Sequence, residues 1–405
     1  MKSNRIFIEN TLIYTFTKFF ELGVHSVMVL LIAERFGLEG MGLISPLLLF
    51  MTYSAFSNFG TNSNLVNKLI LEPNDRRYLM GISAGYNFYA SGILFVIAIA
   101  FVESIPATFV LICCFSLFRS YCQSILRAEN RFRELAFYNA SFGLTMLGSF
   151  FYMSYFSVNL TAGEYYQYLL APPYILSLVL MVYFINYKVS IAPRFEKVHY
   201  HIFEPSFILM LASLVTTMLL SLDRIYVINV NSDISYGIGE VQFLDTLAAV
   251  FHLGLSSILY VMYPRLLGKA RTANISFPSF RKLMCLLLLV LTTFAAIYYL
   301  LVFHVASFFI SQIELVSGQL FMSILLYKLV LLTFGVYALG YISRGMEFAY
   351  LKFLGSNLLI LVCVLLSHYV IEYSFDYIYL LTATFIMVNS YSNGKKMIDK
   401  AIFNV

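Results

Sequence analysis

Tryptophan is absent from the 405 residues, and charge is scarce, with 26 Lys and Arg, 21 Asp and Glu, and 12% charged residues in all. A soluble domain carries about 25% charged residues. This dilution excludes a soluble enzyme, a disordered chain and a nucleic-acid binder. Five cysteines, Cys113, Cys114, Cys122, Cys285 and Cys363, all lie in apolar runs. They form neither a disulfide framework nor a metal-ligand pattern, and read as small buried hydrophobes. A cleavable signal segment is not expected. Met1–Asn10 is polar, and the first apolar run carries Lys18, Glu21 and His25. What the chain has instead is apolar bulk: 60% hydrophobic residues, 31 Tyr, 39 Phe and a mean hydropathy of +0.81.

A spanning helix needs about 20 mostly apolar residues. Twelve such runs are read, near 11–33, 41–60, 79–102, 105–126, 135–158, 165–187, 206–229, 240–263, 282–304, 319–342, 348–371 and 375–393. The runs are continuous rather than alternating, which excludes a β-barrel. Val102–Pro106 predicts a tight turn between the third and fourth runs. Ser45, Thr52, Ser54, Ser57 and Asn58 make the second run semi-polar, as expected of a helix lining a water-filled space.

With residue 1 placed in the cytoplasm and sides alternating, 21 of the 26 basic residues fall in inside segments. The outside turns carry Glu39, Glu103, Glu164, Asp233, Glu314, Glu372 and Asp376. Cytoplasmic loops are the ones enriched in Lys and Arg. Twelve spans with both termini inside are therefore expected. The formal net charge of +5 reflects this topology rather than a nucleic-acid surface.

The link Lys188–Pro205, with His199 and His201, divides the spans six and six. The expected organisation is an N-terminal six-helix bundle over 1–190, a cytoplasmic linker over 191–205 and a C-terminal six-helix bundle over 206–405. Because six crossings return the chain to its starting side, homologous halves would be related by a pseudo-two-fold along the membrane normal. A short echo accompanies this division: Gly40-Met41-Gly42 opens the second span of one half, Gly237-Ile238-Gly239 that of the other.

Three stretches carry a resemblance. The first is Ala33-Glu34-Arg35-Phe36-Gly37-Leu38-Glu39-Gly40-Met41-Gly42, followed by the semi-polar span and Asn64-Leu65-Val66-Asn67-Lys68. The second is Ser221-Leu222-Asp223-Arg224, followed by the Gly237/Gly239 turn and Tyr263-Pro264-Arg265-Leu266. The third is Arg119 with Arg127-Ala128-Glu129-Asn130-Arg131. Together they resemble polysaccharide transporters of the MOP superfamily, in order and spacing over the whole chain. By length and span number the chain looks like bacterial O-antigen and capsule flippases. The lipid II flippase branch usually has fourteen spans, and multidrug and toxin extrusion members are usually longer.

The resemblance implies an all-α polytopic fold, with two six-helix bundles around a central cleft. It implies translocation of undecaprenyl-pyrophosphate-linked oligosaccharide repeat units from the cytoplasmic to the periplasmic leaflet of the inner membrane, by alternating access. It also implies a polysaccharide polymerase and a chain-length regulator as partners, and no cofactor.

Charges within spanning helices cost about 2.5–3.5 kcal/mol each on insertion scales, so they should face a cavity or a partner. The deep cations are Lys18, Arg119, Arg224 and Lys328, read as a cationic substrate path for a phosphorylated headgroup. Lys18, Glu21 and His25 share one helical face, so Glu21 can pair with Lys18 or hydrogen-bond His25. Asp223 precedes Arg224, and Asp245 and His252 share a face of the eighth span. Glu21, His25, Asp223, Asp245 and His252 are read as candidates for proton coupling or pairing. Lys328 is expected to oppose Arg119 or Lys18 across the cleft. Pro46 and Pro172-Pro173 are expected to break or kink their helices.

Three functions of different class fit. The first is a flippase for lipid-linked oligosaccharide. The second is a cation-coupled small-molecule or drug exporter of the same superfamily, which expects carboxylates to dominate the cleft. The third is a membrane polysaccharide polymerase, which expects a large basic periplasmic loop. Here the outside turns are short, and neither HExxH, nor a phosphate-binding Gly loop, nor Ser-His-Asp spacing occurs. The charges tilt the reading to the first, and no catalytic or metal-ligating residue is assigned.

Overall fold

A 53-residue helical stretch, α1 (Lys2–Ser54), opens the chain, and its one non-helical residue is Gly37, at φ 70° and ψ −177°. Only glycine adopts that backbone without strain. The break therefore falls between the first two expected spans, both of which lie in α1. In the computed structural model the described residues are 2–58, 60–62, 65, 69, 76–101, 105–129, 131–156, 160–187, 193–194, 200–230, 237–252, 255, 277–342 and 346–403. Tyr263–Leu266, Asn64, Val66–Lys68, Val102–Ser104, His199 and the end of the eighth span lie outside them.

Among the described residues every regular element is helical. After α1 come α2 (Arg76–Phe101), α3 (Ala107–Ala128) and α4 (Phe132–Phe156). Then follow α5 (Ala162–Met181), which widens into a π-helical turn at Val182–Tyr187, and α6 (Tyr200–Val230). Residues 238–252 form α7. The chain closes with α8 (Phe277–His304), α9 (Gly318–Leu332), α10 (Phe334–Ile342), α11 (Glu347–Ile371) and α12 (Asp376–Phe403). The tenth expected span is α9 followed by α10.

Among the described residues 7 helices are long and apolar enough to cross a bilayer, in α2, α3, α5, α6, α8, α9–α10 and α11. The other expected crossings lie in α1, α4, α7 and α12, so twelve is an approximate count. The chain is a multi-pass, all-α membrane protein.

Local sequence sets the helix ends. Thr161 caps α5 in a reciprocal box with Glu164, which satisfies two otherwise orphaned N–H groups. Ser317 caps α9 by accepting from the Leu320 N–H at 3.2 Å. Many hydroxyls bond their own helix one turn back: Thr17 to Ile13, Thr52 to Leu48, Thr145 to Ser141, Ser221 to Thr217 and Thr384 to Leu380. The semi-polar second span does the same through Ser54 and Ser57.

The chain divides into two compact units. Unit 1 holds Met1–Val29 and Leu43–Leu214, and unit 2 holds Leu30–Gly42 and Val215–Val405. In unit 1, Tyr121 donates to the Met80 carbonyl and Tyr138 to the Ser177 carbonyl, which ties α3 to α2 and α4 to α5. Buried Asn62 and Asn87 exchange amide hydrogen bonds of 3.1 and 2.9 Å. In unit 2, the segment Leu30–Gly42 meets the start of α7. A Cβ on Gly42 would sit 3.6 Å from the Gly239 nitrogen, and one on Gly239 would sit 1.7 Å from the Leu38 carbonyl oxygen. One glycine of each echoed pair, Gly42 and Gly239, thus packs on the other. Glu34 pins the same segment by accepting from the Ser311 N–H and hydroxyl, both at 2.9 Å.

Two expectations are corrected. Cys113, Cys114 and Cys122 are buried, but Cys285 and Cys363 are exposed. A helix crossing lipid is apolar on its outer face too, so an apolar run does not mean an interior position. Pro172, Pro173 and Pro46 do not break their helices: α5 and α1 run through them, and the break in α1 is at Gly37. Spanning helices tolerate proline because neighbouring groups take up the freed carbonyl. In addition α6 starts at Tyr200, so Pro205 sits within it rather than ending the link.

The glycine contact yields a prediction. Gly239→Ala forces a methyl into a backbone carbonyl and should cost about 1–3 kcal/mol or more. Gly355→Ala, with nothing within 4 Å, should be neutral or stabilising by about 0.5–1 kcal/mol. Thermal unfolding in detergent micelles measures both, and equal midpoints would contradict the packing.

Candidate functional site

Each unit holds one buried carboxylate that binds two cations. In unit 1 the carboxylate is Glu21 of α1. Its Oε1 lies 3.0 Å from the Lys18 Nζ and its Oε2 lies 2.8 Å from an Arg119 Nη2. Lys18 and Glu21 meet because residues three apart share a helix face. Arg119 arrives from α3. Gly143 of α4 lets α1 come close, since a Cβ there would lie 2.8 Å from the Phe20 ring. The neighbouring Phe142 ring lies 4.0 Å from the Arg119 guanidinium carbon, a cation–π contact strengthened by desolvation. Glu21 and Arg119 are buried, while the Lys18 side chain keeps 24% exposure.

His25, one turn on from Glu21, bonds elsewhere. Its Nε2 lies 3.3 Å from the hydroxyl of buried Tyr166. The structure thus brings Lys18, Glu21 and Arg119 together and sets His25 beside them with a tyrosine partner.

Unit 2 repeats the pattern with different helices. Asp245 of α7 places Oδ1 2.6 Å from the Lys328 Nζ of α9 and Oδ2 3.3 Å from an Arg224 Nη1 of α6. Arg224 also donates to the Gln242 side chain and the Leu220 carbonyl. Adjacent Asp223 accepts from the Tyr379 hydroxyl at 2.7 Å and also feels the charges of Arg224 and Lys328. Asp245 and Lys328 are buried. His252 lies seven residues along α7 from Asp245 and is partly buried; Asp245 is met by Lys328 and Arg224 instead.

The two clusters are alike in setting two cations on one carboxylate, one oxygen for each. Arg119 lies on the fourth and Lys328 on the tenth expected span, six apart, and Lys18 and Arg224 lie on the first and seventh, whereas Glu21 lies on the first and Asp245 on the eighth. The unit 1 cluster keeps one excess positive charge. In unit 2 buried Asp223 also interacts electrostatically with Arg224 and Lys328, so two carboxylates face two cations. Sequence reading found all four cations, both carboxylates and the Lys18–Glu21 pairing, but not the bridges between helices. It also missed Tyr166, Phe142, Gly143, Gln242 and Tyr379, for which only neighbouring polarity in the sequence gave a signal.

A multidrug resistance MATE family transporter of the MOP superfamily, in its outward-facing conformation, is 12% identical over 96% of this chain and 96% of its own, with a TM-score of 0.63. MATE in the bent conformation is 12% identical over 97% and 96%, at 0.66. A variant of the Vibrio cholerae MATE transporter VcmN is 12% identical over 100% and 99%, at 0.63. The fold is that of the MATE transporters. At this identity the likeness extends to the fold alone. The sequence matches no family model and no curated protein. The similar structures that share the MATE fold are transporters rather than enzymes.

Breaking a buried ion pair by removing one partner costs about 3–5 kcal/mol, because the other charge is left uncompensated. Glu21→Gln should therefore destabilise strongly, and Glu21→Gln combined with Arg119→Gln should cost much less than the two single changes added. Thermal unfolding of the double-mutant cycle measures this; additive losses would contradict the bridge.

Proposed function

We propose that this chain is a membrane transporter that moves an anionic, lipid-anchored substrate across the bacterial inner membrane by alternating access, with both termini in the cytoplasm. The substrate class is a polyprenyl-pyrophosphate-linked oligosaccharide. The single observation that carries the reading is the excess positive charge of the Lys18–Glu21–Arg119 cluster. An anionic headgroup is the ligand that two cations around one carboxylate still attract. A lipid anchor keeps the tail in the bilayer while the sugars cross in water.

A second reading has its own support. The similar solved structures include multidrug transporters, and this likeness favours export of small molecules over a flippase. An exporter of organic cations needs carboxylates in excess. Asp223, held by Tyr379 beside Arg224, is the residue of unit 2 that best suits it.

Reconstituted vesicles separate the two readings. A fluorescent lipid-pyrophosphate oligosaccharide should be flipped by the native chain. It should be flipped at least about tenfold more slowly by Arg119→Gln or Lys328→Gln, since a lost charged partner costs about 2–5 kcal/mol. Transport of an organic cation, with the lipid-linked sugar ignored, would sink the first reading. Topology is tested separately by cysteine labelling in cells. Positions 164 and 314 should react from the periplasm, and 131 and 269 only after permeabilisation.

A further inference from the structure

An apolar slot opens in unit 2 between α8, α9–α10 and α12, away from the charged cluster. Its volume is about 250 Å³, and its walls include Phe280, Met284, Leu288, Val330, Tyr337 and Met387. None of the residues around it belongs to the Arg224–Asp245–Lys328 site. Two polar groups of its walls are satisfied within the protein: Thr333 donates to the Val330 carbonyl at 2.7 Å and Tyr337 to the Ser390 carbonyl at 2.9 Å. The surface of the slot is mostly hydrocarbon. One of its walls, α8, is the most apolar of the candidate spans among the described residues and exposes Leu283, Leu286, Leu289 and Phe294.

One end of the slot is basic. Gly394 of α12 approaches Phe280 of α8 so closely that a Cβ would lie 2.9 Å from the ring. The next residue on each helix, Lys395 and Arg281, is a cation, and Lys282 follows; all three are exposed. Arg281 itself borders the slot. Among the described residues no carboxylate pairs with Arg281 or Lys395. In the topology expected from the sequence, these three cations lie on the cytoplasmic side.

We propose that this slot binds one anionic phospholipid of the cytoplasmic leaflet. An acyl chain lies along Met284, Leu288 and Val330, and the phosphate meets Arg281 and Lys395. The two halves of the surface require an amphiphile. A soluble anion would leave the hydrocarbon walls uncovered, and a neutral lipid would leave the cations uncovered. Basic residues beside an apolar surface attract anionic headgroups in this way.

The test uses the full chain in neutral detergent, with exposed Cys363 replaced by serine so that Cys285, which borders the slot, is the exposed thiol. Phosphatidylglycerol and phosphatidylcholine with identical acyl chains are titrated in. Bound lipid is counted by native mass spectrometry, and Cys285 alkylation is timed. Phosphatidylglycerol should bind about fivefold more tightly for each cation engaged and should slow Cys285 alkylation. Arg281→Gln with Lys395→Gln should reduce it to the phosphatidylcholine level. Equal binding of the two lipids by the native chain would overturn the proposal. So would unprotected Cys285, or a preference that survives in the double variant. Protection by a polyprenyl phosphate but not by phosphatidylglycerol would also overturn it, in favour of a substrate-tail site.

Discussion

One carboxylate holding two cations inside an apolar helix pack is the arrangement on which the rest depends. Removing a charge from water is expensive, and attraction in a low-dielectric interior offsets that cost only when geometry is close. Glu21 and Asp245 each meet this demand with both oxygens, one to each partner. A carboxylate shared in this way neutralises only part of what surrounds it. In unit 1 this leaves one positive charge in surplus at a site that helix packing has already assembled.

The supporting side chains are chosen for shape as much as charge. Gly143 removes a side chain so that α1 can approach α4, and Phe142 beside it offers a ring face to Arg119. In unit 2 the polar partners are hydroxyl and amide groups, Tyr379 and Gln242. Both solutions hold charged groups with uncharged ones. The sign of the unit 1 cluster is left to its three ionic members, whereas in unit 2 Asp223 adds a second carboxylate.

Much of this was legible in the residue order, for identifiable reasons. The hydrophobic runs are long enough to mark helices without ambiguity, and the i, i+3 spacing of Lys18 and Glu21 specifies a contact that needs no tertiary information. Gly37 stands where the first two runs separate. The Glu21–Arg119 and Asp245–Lys328 bridges were not legible, because they depend on which helices touch, and charge spacing along one helix is silent about its neighbour. Of the expected break or kink at Pro172-Pro173, the break does not occur, because the rule for breaking helices assumes water competing for the freed carbonyls. Cys285 and Cys363 misled because in a bilayer the outside is also oily. His25 and His252 remain readable only as neighbours of the clusters, one tied to Tyr166.

The hydroxyls of Thr17, Thr52, Thr145, Ser221 and Thr384 are all directed to carbonyls of their own helices. Such bonds satisfy a polar group in lipid and bend the helix slightly. Their mechanical consequence concerns friction. These bonds hold no neighbouring rod, so a small axial slide or roll does not rupture them. What resists such a slip is surface corrugation, the fit of knobs against grooves, together with the cross-helix ties of Tyr121 to Met80, Tyr138 to Ser177, Tyr327 to Leu219 and Tyr337 to Ser390 and the ion bridges. Sliding friction is thus concentrated at a set of tyrosine and ionic anchor points rather than spread over the threonines and serines.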